Sequence, residues 1–281
     1  MVLYVLNVRA EQLDDASAML RLPRFSLKAA LKAAGHEILL FAAKGEDSPG
    51  YFGTAIMGDP LPDLSDSKNF RIPIYEMHRL TREISLVELR ALGVEEQPFH
   101  TYSRPIRPIF EEEQGGLITL GAIPNGFGEE PVEAFNDTPI GRGGLIGSEF
   151  RQLRFEMLDT YPSFCAFTRK AYLSLDGHRY GFDVGHVWPR YAGGPSIIQN
   201  VLPMSKDVNN QWDEGTVSLT NAGDLLIAKN AGLDTRALFA GFRRIVFPKD
   251  PQLWPDVRYL ERHRDEIFER GPKWLRREGD D

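Results

Sequence analysis

The stretch from Asp183 to Asn210, DVGHVWPRYAGGPSIIQNVLPMSKDVNN, combines side chains that hydrolysis of a phosphodiester requires. That reaction needs a base to take a proton from water, a cation to neutralise charge on the phosphate, and a scaffold that holds the base in place. His186 suits the first task because an imidazole titrates near neutrality. Asn200, fourteen residues later, can bond backbone groups across the intervening Gly193-Gly194 loop and fix its shape. Asn209, nine residues further on, offers a carbonyl oxygen to a hard divalent cation. Asp183 is the nearest carboxylate to His186. Each residue also has a plainer reading: a satisfied polar group at a strand end for His186, a turn residue for Asn200, and a solvated helix position for Asn209.

The elements around these residues decide whether they can meet. SEFRQLRFEMLDTY is an amphipathic helix with Phe150, Leu153, Met157, Leu158 and Tyr161 at helical spacing and Ser148 as its expected N-cap. FCAFT (164–168) and YGFDVGHVWP (180–189) read as strands, with a turn at Asp176-Gly177 between them. A helix is expected from about Ser205 through Val208 and Trp212 to Gly215, followed by a hairpin in TVSLTNAGDLLIA. The order strand, loop, strand, helix collects the polar residues at one end. Cys165, Trp188 and Trp212 are expected in the core. His263, in ERHRDE, is expected on a charged helix face whose Arg262 and Arg264 are candidates for DNA contact.

This half of the chain resembles the HNH, or ββα-metal, nucleases. The resemblance rests on Phe150-Arg151 on a helix, Cys165-Ala166-Phe167-Thr168, His186-Val187-Trp188-Pro189, Gly193-Gly194, Asn200-Val201-Leu202 and Asn209, in that order, and on the tail WPDVRYLERHRDEIF (254–268). It implies that His186 is the general base, Asn200 the structural asparagine and Asn209 a metal ligand on the helix, with one Mg²⁺ or Mn²⁺ per site. Two positions depart from the family pattern. The helical ligand, often histidine, is Asn209 here, and the aspartate that many members carry directly before the base is Gly185. Asp183 is the carboxylate expected to stand in for it, directly or through water.

The first half reads differently. Short β-prone runs fall at 2–8, 37–43, 51–57, 70–77 and 104–110, interrupted by two helices. SLKAALKAAG has Ser26 as expected N-cap and Gly35 as stop, and SLVELRALG opens with a capping box from Ser85 to Glu88 and ends at Gly93. Strands of irregular spacing outnumber helices, which predicts a small curved mixed sheet or partly open barrel. GHEILLFAAKGEDSPGYFGTAIMGDP is similar to the PUA-like superfamily, which includes EVE, ASCH and SRA modules, and SRPIRPIFEEE resembles the end of such a domain in fusions with HNH heads. The resemblance implies a reader that flips 5-methylcytosine or 5-hydroxymethylcytosine out of the duplex and stacks it on aromatics. Phe41, Tyr51 and Phe52 are its candidate pocket residues, with Arg24 and Ser26 as polar or phosphate contacts. Alternating aromatics on strands fit a core equally well.

Between the halves, Glu111 to Gly141 holds seven acidic residues and no Lys or Arg, is rich in Gly and Pro, and reads as a linker. The GRGG at 141–144 follows no strand, so a phosphate loop is not expected there. The net charge of −7 argues against a polyanionic partner only until that segment is set aside, because the rest of the chain holds 33 acidic and 33 basic residues. One cysteine excludes an internal disulfide and a paired-cysteine zinc site. The apolar runs are too short for a membrane span and the N-terminus turns acidic too soon for a secretory signal, so a cytoplasmic protein is expected.

The expected fold is α+β: a PUA-like mixed barrel or sheet over residues 1–113, a linker over 114–145 and an HNH ββα-metal domain over 146–281. The expected function is a modification-dependent DNA endonuclease acting on double-stranded DNA, with a homodimer or two binding events supplying the second cut. Two other readings stay open at this level: a non-catalytic modified-nucleic-acid binder whose HNH unit is degenerate at Gly185, and an RNA-directed PUA-like protein.

Overall fold

The computed structural model describes residues 3–8, 18–42, 49–91, 93, 104–109, 111–121, 147–161, 164–173, 179–180 and 182–271. The chain divides into two compact units, Met1–Pro139 and Ile140–Asp281. Among the described residues no helix is long and apolar enough to cross a membrane. The GRGG segment and the Asp176-Gly177 turn lie outside the described residues.

The first unit is a mixed α+β domain. Its elements are β1 (Leu3–Val8), β2 (Ala18–Pro23), α1 (Leu27–Ala33), β3 (Glu37–Ala42), β4 (Gly50–Met57), β5 (Leu61–Pro62), β6 (Asn69–Ser85), α2 (Leu86–Ala91), β7 (Ile106–Ile109) and α3 (Glu111–Thr119). One seven-stranded sheet runs β2-β6-β4-β3-β1-β7, with β5 also on β6. Among the described residues β1 and β3 pair in parallel and the other pairs are antiparallel. The register slips at Phe52, which has no opposite number on either β3 or β6. Such bulges increase twist and let a sheet curl. Ile38, Leu39, Leu40 and Phe41 are all buried in succession, as expected of a strand covered on both faces. Leu39 and Phe41 join Leu3, Val5, Tyr51, Ile84, Leu89, Ile109 and Leu117 in one cluster, which α2 and α3 help to close.

Three local expectations need correction here. The stretch from Glu111 to Thr119 is helical, and its Leu117 is fully buried in the first unit's core, so the linker does not begin at 114. β2 has no β-branched residue to announce it and exists through its pairing with β6. Ser26 precedes α1 but makes no side-chain cap; its hydroxyl donates instead to the Pro23 carbonyl at 2.7 Å. The Ser85 hydroxyl does accept the Glu88 N–H, at 3.2 Å, and Gly35 and Gly93 follow their helices with positive φ.

The second unit comprises α4 (Gly147–Thr160), β8 (Tyr172–Leu173), β9 (Arg179–Tyr180), β10 (Phe182–His186), β11 (Val201–Ser205), α5 (Lys206–Asp213), β12 (Val217–Leu219), β13 (Leu225–Ile227), α6 (Leu233–Leu238) and α7 (Val257–Glu266). Its strands form three two-stranded antiparallel hairpins. α4 buries Leu153, Phe155, Met157 and Leu158, with buried Tyr161 just after its end, and it begins at Gly147, so Ser148 lies inside the helix rather than before it. Residues 164–168 are a turn, not a strand. The Ala166 N–H donates to the Pro203 carbonyl at 2.8 Å and its carbonyl accepts from Val246 at 2.9 Å, which ties the turn to β11 and to the later chain. Cys165 is buried.

His263 does not sit on a charged face. It is fully buried on α7, stacked on Trp212 at 3.8 Å, with Nε2–H donating to the Trp212 carbonyl at 3.1 Å and Nδ1 accepting from the Ser218 hydroxyl at 2.9 Å. Burial first, then Arg264, lowers its pKa to about 3, against the bond to Trp212. The folded value lies below the unfolded one, so stability is full above the unfolded pKa near 6.5 and falls by about 1.4 kcal/mol per pH unit below it. All four tryptophans lie in the second unit, so their fluorescence follows its unfolding alone. Between pH 7 and pH 5 the urea-derived stability of His263→Phe is expected to fall by about 2 kcal/mol less than that of the parent protein. Equal falls would show that this histidine takes up its proton without unfolding.

Candidate active site

β10 and β11 pair from Phe182↔Ser205 to His186↔Val201, and α5 follows β11 directly with Ser205 at its N-cap. Trp212 anchors the helix: it is fully buried and donates from Nε1 to the Val187 carbonyl at 3.2 Å. Strand alternation turns Asp183 and Gly185 to the face that meets α5, and His186 follows at the end of the strand.

The loop between the strands is held by Asn200. Its Oδ1 accepts the Trp188 N–H at 2.8 Å, and its Nδ2 donates to the carbonyls of Trp188 at 3.0 Å and Pro195 at 2.8 Å. The side chain is fully buried, so these three bonds carry nearly all of its polar capacity. Gly193 has φ +90°, and a side chain on Gly194 would run into the Trp188 carbonyl. Both glycines are therefore required by the path of the loop. Trp188 itself packs inside and lies under the Arg262 guanidinium, 5.7 Å from its ring centroid; Arg264 donates to the Leu219 carbonyl at 2.7 Å.

His186 sits where this loop begins. Nε2 lies 3.0 Å from the Ser196 hydroxyl. Burial, and next the Arg190 charge, lower the pKa to about 4, so the imidazole is neutral at pH 7.

On α5, Asn209 stands against Gly185. A Cβ on Gly185 would lie 2.8 Å from Asn209 Oδ1 and 2.7 Å from Met204 Cγ, and would overlap Met204 Sδ. The space that an aspartate at 185 would need is already filled. Asn209 Oδ1 is buried and has no hydrogen-bond partner, while its Nδ2 donates to Asp213 Oδ2 at 3.3 Å. Asp213, one turn along α5, is a residue that the sequence reading missed, although its four-residue spacing from Asn209 was the available signal. Its pKa is pushed up to about 6 by burial first, then by Glu214 and Asp183. Asp183, Asn209 and Asp213 thus form an electronegative group with an orphaned oxygen. All donors are oxygens, which suits a hard cation such as Mg²⁺ or Mn²⁺. Among the described residues no three His, Cys, Asp or Glu side chains group as a metal cluster; this set reaches three donors only with the Asn209 amide.

In the first unit the five pocket candidates separate. Phe41 and Tyr51 pack edge to face at 5.2 Å within the core cluster, and the Tyr51 hydroxyl accepts from buried Arg107 at 2.7 Å. Phe52 is the bulged residue and is half-buried. Arg24 donates to the Ser67 carbonyl at 3.3 Å, and Ser26 is buried against Pro23.

No protein-family model matches the chain, and no curated protein matches it. Solved structures do show similarity. The modification-dependent TagI restriction endonuclease aligns with 99% of this chain and 83% of its own, at 11% identity and a TM-score of 0.34. The human THYN1 protein in complex with 5-methylcytosine-containing DNA aligns with 43% of this chain and 98% of its own, at 12% identity and a TM-score of 0.33. A hypothetical protein from Leishmania major aligns with 43% and 94%, at 11% identity and a TM-score of 0.35.

Proposed function

We propose that the second unit is an HNH-type endonuclease that hydrolyses DNA phosphodiesters, and that the first unit is a PUA-like reader directing it to modified cytosine. The observation that carries this reading is a neutral histidine at the end of a hairpin whose loop is clamped by buried Asn200, with the orphaned Asn209 oxygen on the helix packed against the same strand. A structural asparagine buried with three bonds to one loop is an expensive device for a plain hairpin. The PUA-like reading of the first unit rests on its sequence resemblance and agrees with a bulged mixed sheet.

In this mechanism Nε2 of His186 takes a proton from the attacking water. Asn200 fixes the backbone on which the ring stands. Arg190 lies close enough to act on the ring electrostatically. Asn209 and Asp213, with Asp183, would hold one divalent cation, which supplies charge neutralisation at the phosphate. Cutting both strands needs two such sites, from a dimer or from two binding events.

The reading is tested with matched plasmids, unmodified or carrying 5-methylcytosine or 5-hydroxymethylcytosine, in Mg²⁺ or Mn²⁺. Cutting confined to modified DNA is the expected result. Equal cutting of all plasmids would remove the reader, and no cutting in either metal would leave a binding protein. In calorimetric titrations without DNA, one Mn²⁺ is expected per chain, bound about tenfold or more weakly by Asp213→Ala and by Asn209→Ala. Unaltered Mn²⁺ affinity in both would move the metal elsewhere.

A further inference from the structure

Where β2 runs into α1, the first unit presents exposed apolar side chains on a cationic surface. Phe25 is 75% exposed on the 3-10 turn Arg24–Ser26, and Leu64 is 64% exposed on the neighbouring turn that precedes β6. Neither turn is loose. The Arg24 N–H donates to the Lys68 carbonyl at 2.8 Å and its guanidinium to the Ser67 carbonyl. Asp63 accepts from the Ser65 hydroxyl at 2.6 Å and pairs with Arg21 at 2.6 Å, while Asp66 accepts from Asn69 at 2.7 Å. These aromatic and aliphatic groups are therefore held out in water on a braced framework, so little ordering entropy remains for a partner to supply.

The charges follow a pattern. Arg24, Lys28 and Lys32 recur every fourth residue and share one ridge of the turn and α1, and the helix LKAALKA contains no acidic residue. Like charges at this spacing cost helix stability, a cost that a polyanion removes. The nearby carboxylates Asp63 and Asp66 are engaged by Arg21, and Asp63 also by Arg71, and the exposed Lys28 and Lys32 keep this face of α1 cationic in a chain of net charge −7.

We propose that Phe25 is a wedge that enters the base stack of duplex DNA while Lys28 and Lys32 follow the phosphates beside it. An aromatic ring stacks on any base, and apolar wedges open base steps that a reader must unstack before a base can leave the helix. Leu64 extends the apolar contact from the second turn. This inference rests on the reading that the first unit meets DNA, and it assigns that contact to a named surface.

The test uses the full chain without divalent metal and a fluorescein-labelled duplex carrying 5-methylcytosine, with 2-aminopurine next to the modified base. The parent protein is expected to bind and to raise the 2-aminopurine fluorescence. Phe25→Ala should bind about ten- to a hundredfold more weakly and lose that rise, with an unchanged salt slope and melting temperature, and Phe25→Trp should restore both. Lys28→Ala/Lys32→Ala should lower the slope of log K against log salt by about 2. Equal affinity and equal 2-aminopurine signal for parent and Phe25→Ala would overturn the wedge while leaving the nuclease and reader in place. The same losses on unmodified duplex would keep the wedge and sink modified-base reading. Absence of duplex binding by the parent protein, or stronger binding to the RNA duplex of the same sequence, would overturn both.

Discussion

His186→Ala is expected to lower the rate of plasmid cleavage by about a hundred- to ten-thousandfold while leaving DNA affinity within a factor of two or so. The size follows from removing the general base rather than a binding group. The ring's hydrogen bond runs to Ser196, so its loss leaves the Asn200 clamp intact. Urea unfolding followed by tryptophan fluorescence should therefore remain close to that of the parent protein. Addition of imidazole gives a second readout, since a small base can occupy the vacated space and recover part of the rate. A His186→Ala protein that cuts at more than a tenth of the parent rate would show that water is activated by another group.

Asn200→Ala is expected to be the most destabilising single change in the second unit, by about 3–5 kcal/mol. Truncation strands the Trp188 N–H and the carbonyls of Trp188 and Pro195, each in a buried setting where an unpaired polar group costs about 1–3 kcal/mol. Asn200→Asp separates bonding from packing: it keeps the volume but cannot donate to the two carbonyls, and it adds a buried charge. Both variants should shift the urea midpoint strongly, and both should lose cleavage because the loop carries His186 at its start. Gln199→Ala is the control, since Gln199 donates only to the Gln252 carbonyl at 3.3 Å near the surface. A loss below about 1 kcal/mol in Asn200→Ala would mean that water replaces the amide and that the loop keeps its shape unaided.

Strands β1, β3, β4 and β7 were legible because Val, Ile, Leu and Phe recur in short runs bounded by Gly, Pro and Asp. β2 was not, because Ala-Met-Leu-Arg-Leu-Pro favours no strand until β6 offers its edge. α3 was hidden by two glycines and a weak apolar stripe; the burial of Leu117 holds it. The turn at 164–168 shows the opposite error, since Phe-Cys-Ala-Phe-Thr is β-prone in isolation but spends its backbone groups on Pro203 and Val246. His263 was masked by charged neighbours, although Leu260, His263 and Ile267 fall on one helical stripe and are all buried. In the candidate site the identities of His186, Asn200 and Asn209 could be read from type and order. The part played by Asp213 needed the distance across one helical turn, and the fit of Met204 against Gly185 needed the coordinates.

That last contact constrains how the site can change. With the Met204 thioether and the Asn209 amide occupying the volume in front of Gly185, no side chain can be added there while both neighbours keep their present places. A carboxylate at 185 thus requires both neighbours to give way, and shrinking 204 alone opens a void in a buried hairpin. Each single step is unfavourable. Positions 185 and 204 are therefore epistatic, and lineages carrying this hairpin are expected to exchange Gly-Met for an acidic-small pair as a unit rather than one residue at a time.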